Sequence, residues 1–156
     1  MKITKLLDKN LIDLDLDINN KEEILKEMAG LLKKEDKVKS KDKFLAKIIE
    51  REREGSTGFG RGIAVPHGKS ETVNELSLAI GRSKDGVEYQ SMDGKKVQLI
   101  FMVADFQGYS PEYLKLVSTL VKWLREDDFR ENLIAAEDKS EFIELFRTKE
   151  DNLSQG

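Results

Sequence analysis

The sequence predicts an α/β fold: a mixed β-sheet flanked by helices, a three-layer-like sandwich built as a single domain. Three observations predict it. Stretches with the two-residue alternation of a strand interleave with stretches at helical spacing, without internal repeats. Residues 97–103, Val-Gln-Leu-Ile-Phe-Met-Val, are nearly all apolar, as in a central strand covered on both faces. No linker rich in Pro, Gly or Ser divides the 156 residues, and that length suffices for one proper core.

Each element has its own warrant. Residues 12–18, Ile-Asp-Leu-Asp-Leu-Asp-Ile, alternate strictly and predict a half-buried strand. Asn19 and Asn20 offer a cap, and Glu22 and Glu23 suit a first helical turn. Ile24, Met28, Leu31 and Leu32 then make one apolar face, taking the helix to about Lys34. Ser40 is placed to cap a second helix with Phe44, Ile48 and Ile49 inward. That helix ends in Glu50-Arg-Glu-Arg-Glu54, a run read for most of its members as a solvated end. A glycine-rich segment follows. Residues 76–80 read as a strand, Lys84-Asp-Gly-Val87 as a turn with residues 87–89 pairing back, and Asp93-Gly94 as another turn. Ser110, followed by Pro111 at the first helical position, opens the longest helix, with Leu114, Val117, Val121 and Leu124 as its buried stripe. Asp127 or Asp128 is expected to cap a short helix carrying Phe129, Leu133 and Ile134. Ser140 is expected to cap a last helix carrying Phe142, Ile143 and Phe146. The domain is placed at residues 1–149, with 150–156 as a flexible tail.

Composition narrows the chemistry. The 27 basic and 30 acidic residues are interspersed, for a net charge of −3, which argues against a nucleic-acid footprint. There is no cysteine, so disulfides, thiolate catalysis and Cys-based zinc sites are excluded. One histidine leaves out imidazole-rich metal sites, while a carboxylate site for a hard cation stays open. No apolar run approaches the ~20 residues of a membrane span, and the N-terminus lacks the apolar stretch of a signal peptide. The chain reads as cytoplasmic.

That one histidine, His67, lies in residues 55–70, which hold five of the chain's 11 glycines and one of its two prolines. Gly68-Lys69-Ser70 matches the end of a P-loop, but position 63 is Ile where the motif needs Gly, and Pro66 removes a backbone donor. The alternating Gly58, Gly60 and Gly62 do not fit a dinucleotide fingerprint, and there is no nucleophile elbow for a serine triad. An imidazole can act alone instead. It is a good nucleophile toward phosphorus and a good leaving group, so it can accept a phosphoryl group and pass it on. Ser56, Thr57 and glycine N–H groups offer neutral donors to phosphoryl oxygens, and an arginine offers a charged bidentate contact.

Arg51-Glu52, Ser56-Thr57-Gly-Phe-Gly60 and Gly62-Ile-Ala-Val-Pro-His-Gly-Lys69 resemble the signature of enzyme IIA of the bacterial sugar phosphotransferase system, in its fructose/mannitol branch, which also holds nitrogen-type regulatory proteins. The likeness continues through residues 79–83, Gly86-Val87, Asp93-Gly94, residues 99–101 and residues 114–116, and so covers essentially the whole chain. The resemblance implies a phosphohistidine relay that needs neither a metal nor a nucleotide or other cofactor. His67 would be phosphorylated at its tele nitrogen by the carrier protein HPr or a nitrogen-branch counterpart. It would pass the group to a cysteine of enzyme IIB on a separate chain, with the membrane reached only through enzyme IIC. Arg51 would stabilise the phosphoryl group, and Ser56 and Thr57 would shape the pocket. The alternative is a regulatory protein whose phosphorylation state switches binding to a target, and a third reading is a scaffold that is not phosphorylated. Family members usually carry a second histidine where this chain has Tyr113, which can donate a hydrogen bond but carries no positive charge. Phe59 is expected to be exposed beside the site, within reach of a partner, and Lys69 to steer acidic groups or phosphate. Trp123 is expected to pack.

Overall fold

The computed structural model describes residues 2–155. Strands β1 (Ile12–Asp13), β2 (Gly58–Gly60), β3 (Ile63–Ala64), β4 (His67–Lys69), β5 (Ser77–Val87) and β6 (Val97–Asp105) form one mixed sheet. Its order is β1-β5-β6-β3-β2, with β4 also paired to β6. Helices α1 (Lys21–Lys34) and α2 (Lys41–Glu54) cover one face, and α3 (Pro111–Leu124), α4 (Asp127–Ala135) and α5 (Lys139–Gln155) the other. The expected sandwich with a mixed sheet is what the chain forms.

The all-apolar run explains why the sheet has two cores. Along β6, Leu99, Phe101 and Val103 enter the α3–α5 core, while Ile100, Met102 and Ala104 enter the α1–α2 core. Over residues 99–104 both sides of this strand are buried, and the side chains there are apolar on both. On the α3–α5 side Phe129, Phe142, Phe146 and Trp123 pack as an aromatic cluster, with Phe129 and Phe146 edge to face at 5.0 Å. On the other side α1 presses on β5 at Gly81, where any Cβ would lie 2.5 Å from a methyl of Leu16.

Several expectations shift. The alternation over 12–18 does bury Ile12, Leu14 and Leu16, but only Ile12–Asp13 pairs as a regular strand, and Leu16 adds a single bond to the Arg82 carbonyl. The turn expected at 84–87 is an irregularity inside β5, with Gly86 at φ 87°; Val87 pairs with Val97 and Glu88 bridges to Asn20. The caps Asn20 and Ser40 hold as expected. Ser110 makes no side-chain cap, α4 starts after Glu126, and Asp138 rather than Ser140 caps α5 by accepting the Glu141 N–H. The stripe of α3 is rotated by one residue: Tyr113, Leu116, Leu120, Trp123 and Leu124 are buried, Val117 and Val121 are half-buried, and Leu114 is 67% exposed. Finally, α5 does not stop at 149. The Glu150 carboxylate accepts the N–H groups of Ile3 and Thr4, at 2.6 and 2.9 Å, and the helix continues through the expected tail to Gln155. Gly156 lies outside the described residues.

Candidate functional site at His67

The site forms where the sequence breaks its own strand. Residues 63–69 run parallel to β6 in two pieces, β3 and β4, separated by Val65-Pro66. Proline has no N–H to give, which suits the outward side of such a segment, while its carbonyl still accepts the Val103 N–H. Beyond Pro66 the outer edge of β4 is no longer covered by β2, so His67 sits half-buried at an open edge. It pairs in register with Val103 and shares the α3 face with Val65.

Gly68 faces the other way. A Cβ there would lie 3.1 Å from Ile48, so the absence of a side chain lets α2 pack close to β4. Arg51 stands three residues beyond Ile48 and reaches the same groove as His67. Its Nη1 donates to the Gly55 carbonyl at 2.8 Å. Glu50, Glu54, Lys47, Lys69 and Tyr113 complete an open groove of about 260 Å³. That is below the range typical of small-molecule pockets and suits a group presented by a partner. Larger clefts, of about 570 and 730 Å³, are lined by other residues and do not include the histidine. Chemistry rather than size selects the groove.

The ring of His67 is held in one tautomer. Its Nδ1 lies 2.8 Å from the Val65 carbonyl oxygen. A carbonyl only accepts, so Nδ1 carries the proton and Nε2 keeps its lone pair. Burial lowers the His67 pKa below 6.5; the Val65 bond opposes this, Arg51 adds to it, and Glu52 opposes it. The ring is therefore neutral at neutral pH, with a free nucleophilic nitrogen. Tyr113 stands edge-on to it, ring centres 5.9 Å apart. Burial pushes the Tyr113 phenol up to about 12, so it remains a donor throughout the physiological range.

The hydroxyls expected to shape the pocket are engaged elsewhere. Ser56 Oγ accepts the Gly58 N–H, and Thr57 is fully buried. Thr57 Oγ1 donates to the Glu52 carboxylate and accepts from the Tyr89 hydroxyl at 3.0 Å. Glu52 also accepts the Thr57 N–H at 3.0 Å and pairs with Lys21 at 2.9 Å. Its side chain is only 6% exposed, so it is not a solvated member of the charged run. Composition alone does not reveal this latch, because Tyr89 is 32 residues from Thr57. Its one local signal is Glu52 standing directly after Arg51. Phe59 is half-buried against the α3–α5 core rather than exposed as a contact residue. Trp123 packs, as expected.

The chain is similar to known proteins over nearly its whole length. Residues 5–149 match the family described as phosphoenolpyruvate-dependent sugar phosphotransferase system, EIIA 2. The chain is 39% identical over 93% of its length to the fructose-specific EIIABC component of Bacillus subtilis, of which it spans only 23%. It is 32% identical to the fructose-specific EIIA component of Haloferax volcanii, covering 88% of this chain and 89% of that one. The crystal structure of the nitrogen regulatory protein IIA-Ntr from Neisseria meningitidis superposes with a TM-score of 0.86, at 29% identity, over 92% of this chain and 98% of that one. With the family matched over residues 5–149, and with this fold, the chain belongs to the EIIA 2 family of the sugar phosphotransferase system.

Proposed function

We propose that this chain is a phosphohistidine carrier of a sugar phosphotransferase system. Nε2 of His67 attacks the phosphorus of an HPr-type donor, the donor's N–P bond breaks, and the electron pair returns to the donor imidazole. In the onward step a thiolate of an enzyme IIB attacks the same phosphorus, and Nε2 leaves. The observation that carries this reading is the Val65 carbonyl on Nδ1: it fixes the tautomer whose lone pair is on Nε2, beside Arg51. Arg51 supplies donors in a fixed fork for the phosphoryl oxygens, worth most where water is excluded. The Glu52 latch holds the segment from Arg51 to Gly58 in place. Ser56 and Thr57 act through that segment rather than on the phosphoryl group.

The test is labelling. Phosphoenolpyruvate, enzyme I and HPr are expected to place close to one acid-labile phosphate per chain, with the ³¹P shift of a tele-phosphohistidine. Absence of label would end this reading. Adding an enzyme IIB and a panel of hexoses and polyols then reads the onward step.

A second reading is favoured by the likeness to IIA-Ntr and by Tyr113 standing where a basic ring would add charge. Here the label persists and adds up to two negative charges to the surface, switching a target protein on or off. Onward transfer to an enzyme IIB and a sugar separates the two, and Tyr113→His tests the position itself. A several-fold faster phosphoryl acceptance is expected if the phenol limits the rate, and an unchanged rate would show that the site does not depend on position 113.

A further inference from the structure

We propose that Lys69 is a second phosphoryl-binding cation of the His67 site, released from a loop carbonyl when the phosphoryl group arrives. This rests on the phosphohistidine reading.

Lys69 lies two residues after His67 on β4, so both side chains project to the α3 face, about 7 Å apart at Cα. Both line the groove that also holds Arg51 and Tyr113. The ammonium stands 5.1 Å from the centre of the Tyr113 ring, whose own centre is 5.9 Å from that of His67. Its anchor is modest: Nζ donates to the Gly108 carbonyl at 2.7 Å. A neutral carbonyl is a weaker partner than a dianionic phosphoryl oxygen, so a phosphoryl group on Nε2 outcompetes it.

Asp105 supplies the second, independent observation. It pairs in register with Lys69 at the end of β6 and is fully buried. Its Oδ1 accepts the Phe106 N–H at 2.8 Å, while Oδ2 is, among the described residues, the buried side-chain polar atom left without a hydrogen-bond partner. A buried carboxylate oxygen without a donor is costly and holds negative potential beneath the groove. The cation registered opposite it is Lys69. Asp105 thus acts as a positioning residue that keeps the ammonium over the strand end instead of sweeping through solvent. Lys69 neither gains nor loses a proton in the transfer. It neutralises charge on the phosphoryl oxygens while the N–P bond forms at Nε2 and breaks at the donor, a role that the neutral Tyr113 leaves open.

The experiment measures phosphoryl acceptance from phosphorylated HPr by wild type, Lys69→Met and Lys69→Arg, each checked by thermal unfolding. Lys69→Met is expected to slow acceptance roughly ten- to a hundredfold with little change in KM for the donor, and Lys69→Arg to restore most of the rate. Asp105→Asn is expected to slow the wild-type background several-fold and to add nothing to Lys69→Met, because both act on one contact. Rates within twofold of wild type in Lys69→Met would overturn the proposal. So would a slowing that Lys69→Arg leaves untouched while every variant unfolds like wild type, since that would mark Lys69 as only a staple on Gly108. A wild-type chain that takes no label at all brings down the phosphohistidine reading, and this proposal with it.

Discussion

Replacing His67 by glutamine is expected to abolish phosphoryl acceptance completely while leaving the fold intact. Glutamine has a similar reach and can still donate to the Val65 carbonyl, so the edge of β4 keeps its local bond. Its amide nitrogen is not a nucleophile, because the lone pair is delocalised. No other histidine exists to take over. The check is phosphate incorporation beside circular dichroism, and incorporation above background in the folded variant would overturn the assignment. The pH dependence follows from the same ring. Its folded-state pKa lies below 6.5 chiefly through burial. At a fixed level of phosphorylated donor, the acceptance rate therefore rises with pH through that lowered value and is flat above neutrality. Linkage has the same sign: below 6.5 the unfolded chain binds more protons at this residue than the folded one. Its contribution to stability accordingly falls on acidification from about 6.5 down through the lowered folded value.

Arg82→Met is expected to cost about 3 kcal/mol of stability, among the largest losses from any single exchange outside the site. Arg82 is 2% exposed. Its Nε donates to the Leu14 carbonyl at 3.2 Å, and Nη1 serves Leu133, Ile134 and Ala136 at 3.1, 3.1 and 2.7 Å. One guanidinium thus satisfies the C-terminal carbonyls of α4 and ties them to the segment after β1, where its positive charge also suits the helix end. Methionine fills much of the volume but gives those carbonyls no donor. The predicted readout is a lower urea midpoint at unchanged slope, with phosphoryl acceptance by the remaining folded protein near wild type. A midpoint within experimental error of wild type would show that the carbonyls find other partners.

The buried role of Arg82 was not legible beforehand, since arginine within an apolar–polar strand pattern reads as an ordinary surface cation. The same holds for Glu52, which looks like one carboxylate in a run of five charges until the Thr57 N–H, the Thr57 hydroxyl and Lys21 converge on it. On α3 the sequence offers two adjacent apolar stripes, Leu114-Val117-Val121 and Tyr113-Leu116-Leu120. Spacing alone does not choose between them. The sheet chooses the second, and with it turns the Tyr113 ring toward His67. At 84–87 a turn-like composition became an irregularity within β5, because pairing on both sides of it, at Arg82 and again at Val87, holds the strand to β6.

By itself the sequence determined the layered α/β arrangement, the helices with side-chain caps at Asn20 and Ser40, and the one imidazole that the proposed relay uses. Those follow from local periodicity, cap chemistry and the presence of one imidazole and no thiol in the chain. Only the tertiary structure decided which nitrogen of His67 is held by the Val65 carbonyl, which hydroxyls are spent on holding Glu52, and which cations face the groove. Each of those depends on where a neighbour distant in the chain comes to rest, as with Tyr89 against Thr57, Tyr113 against His67, or Glu150 against Ile3. Local patterns bias the backbone of a few residues at a time, whereas such contacts are settled when two separately patterned faces close on one sheet.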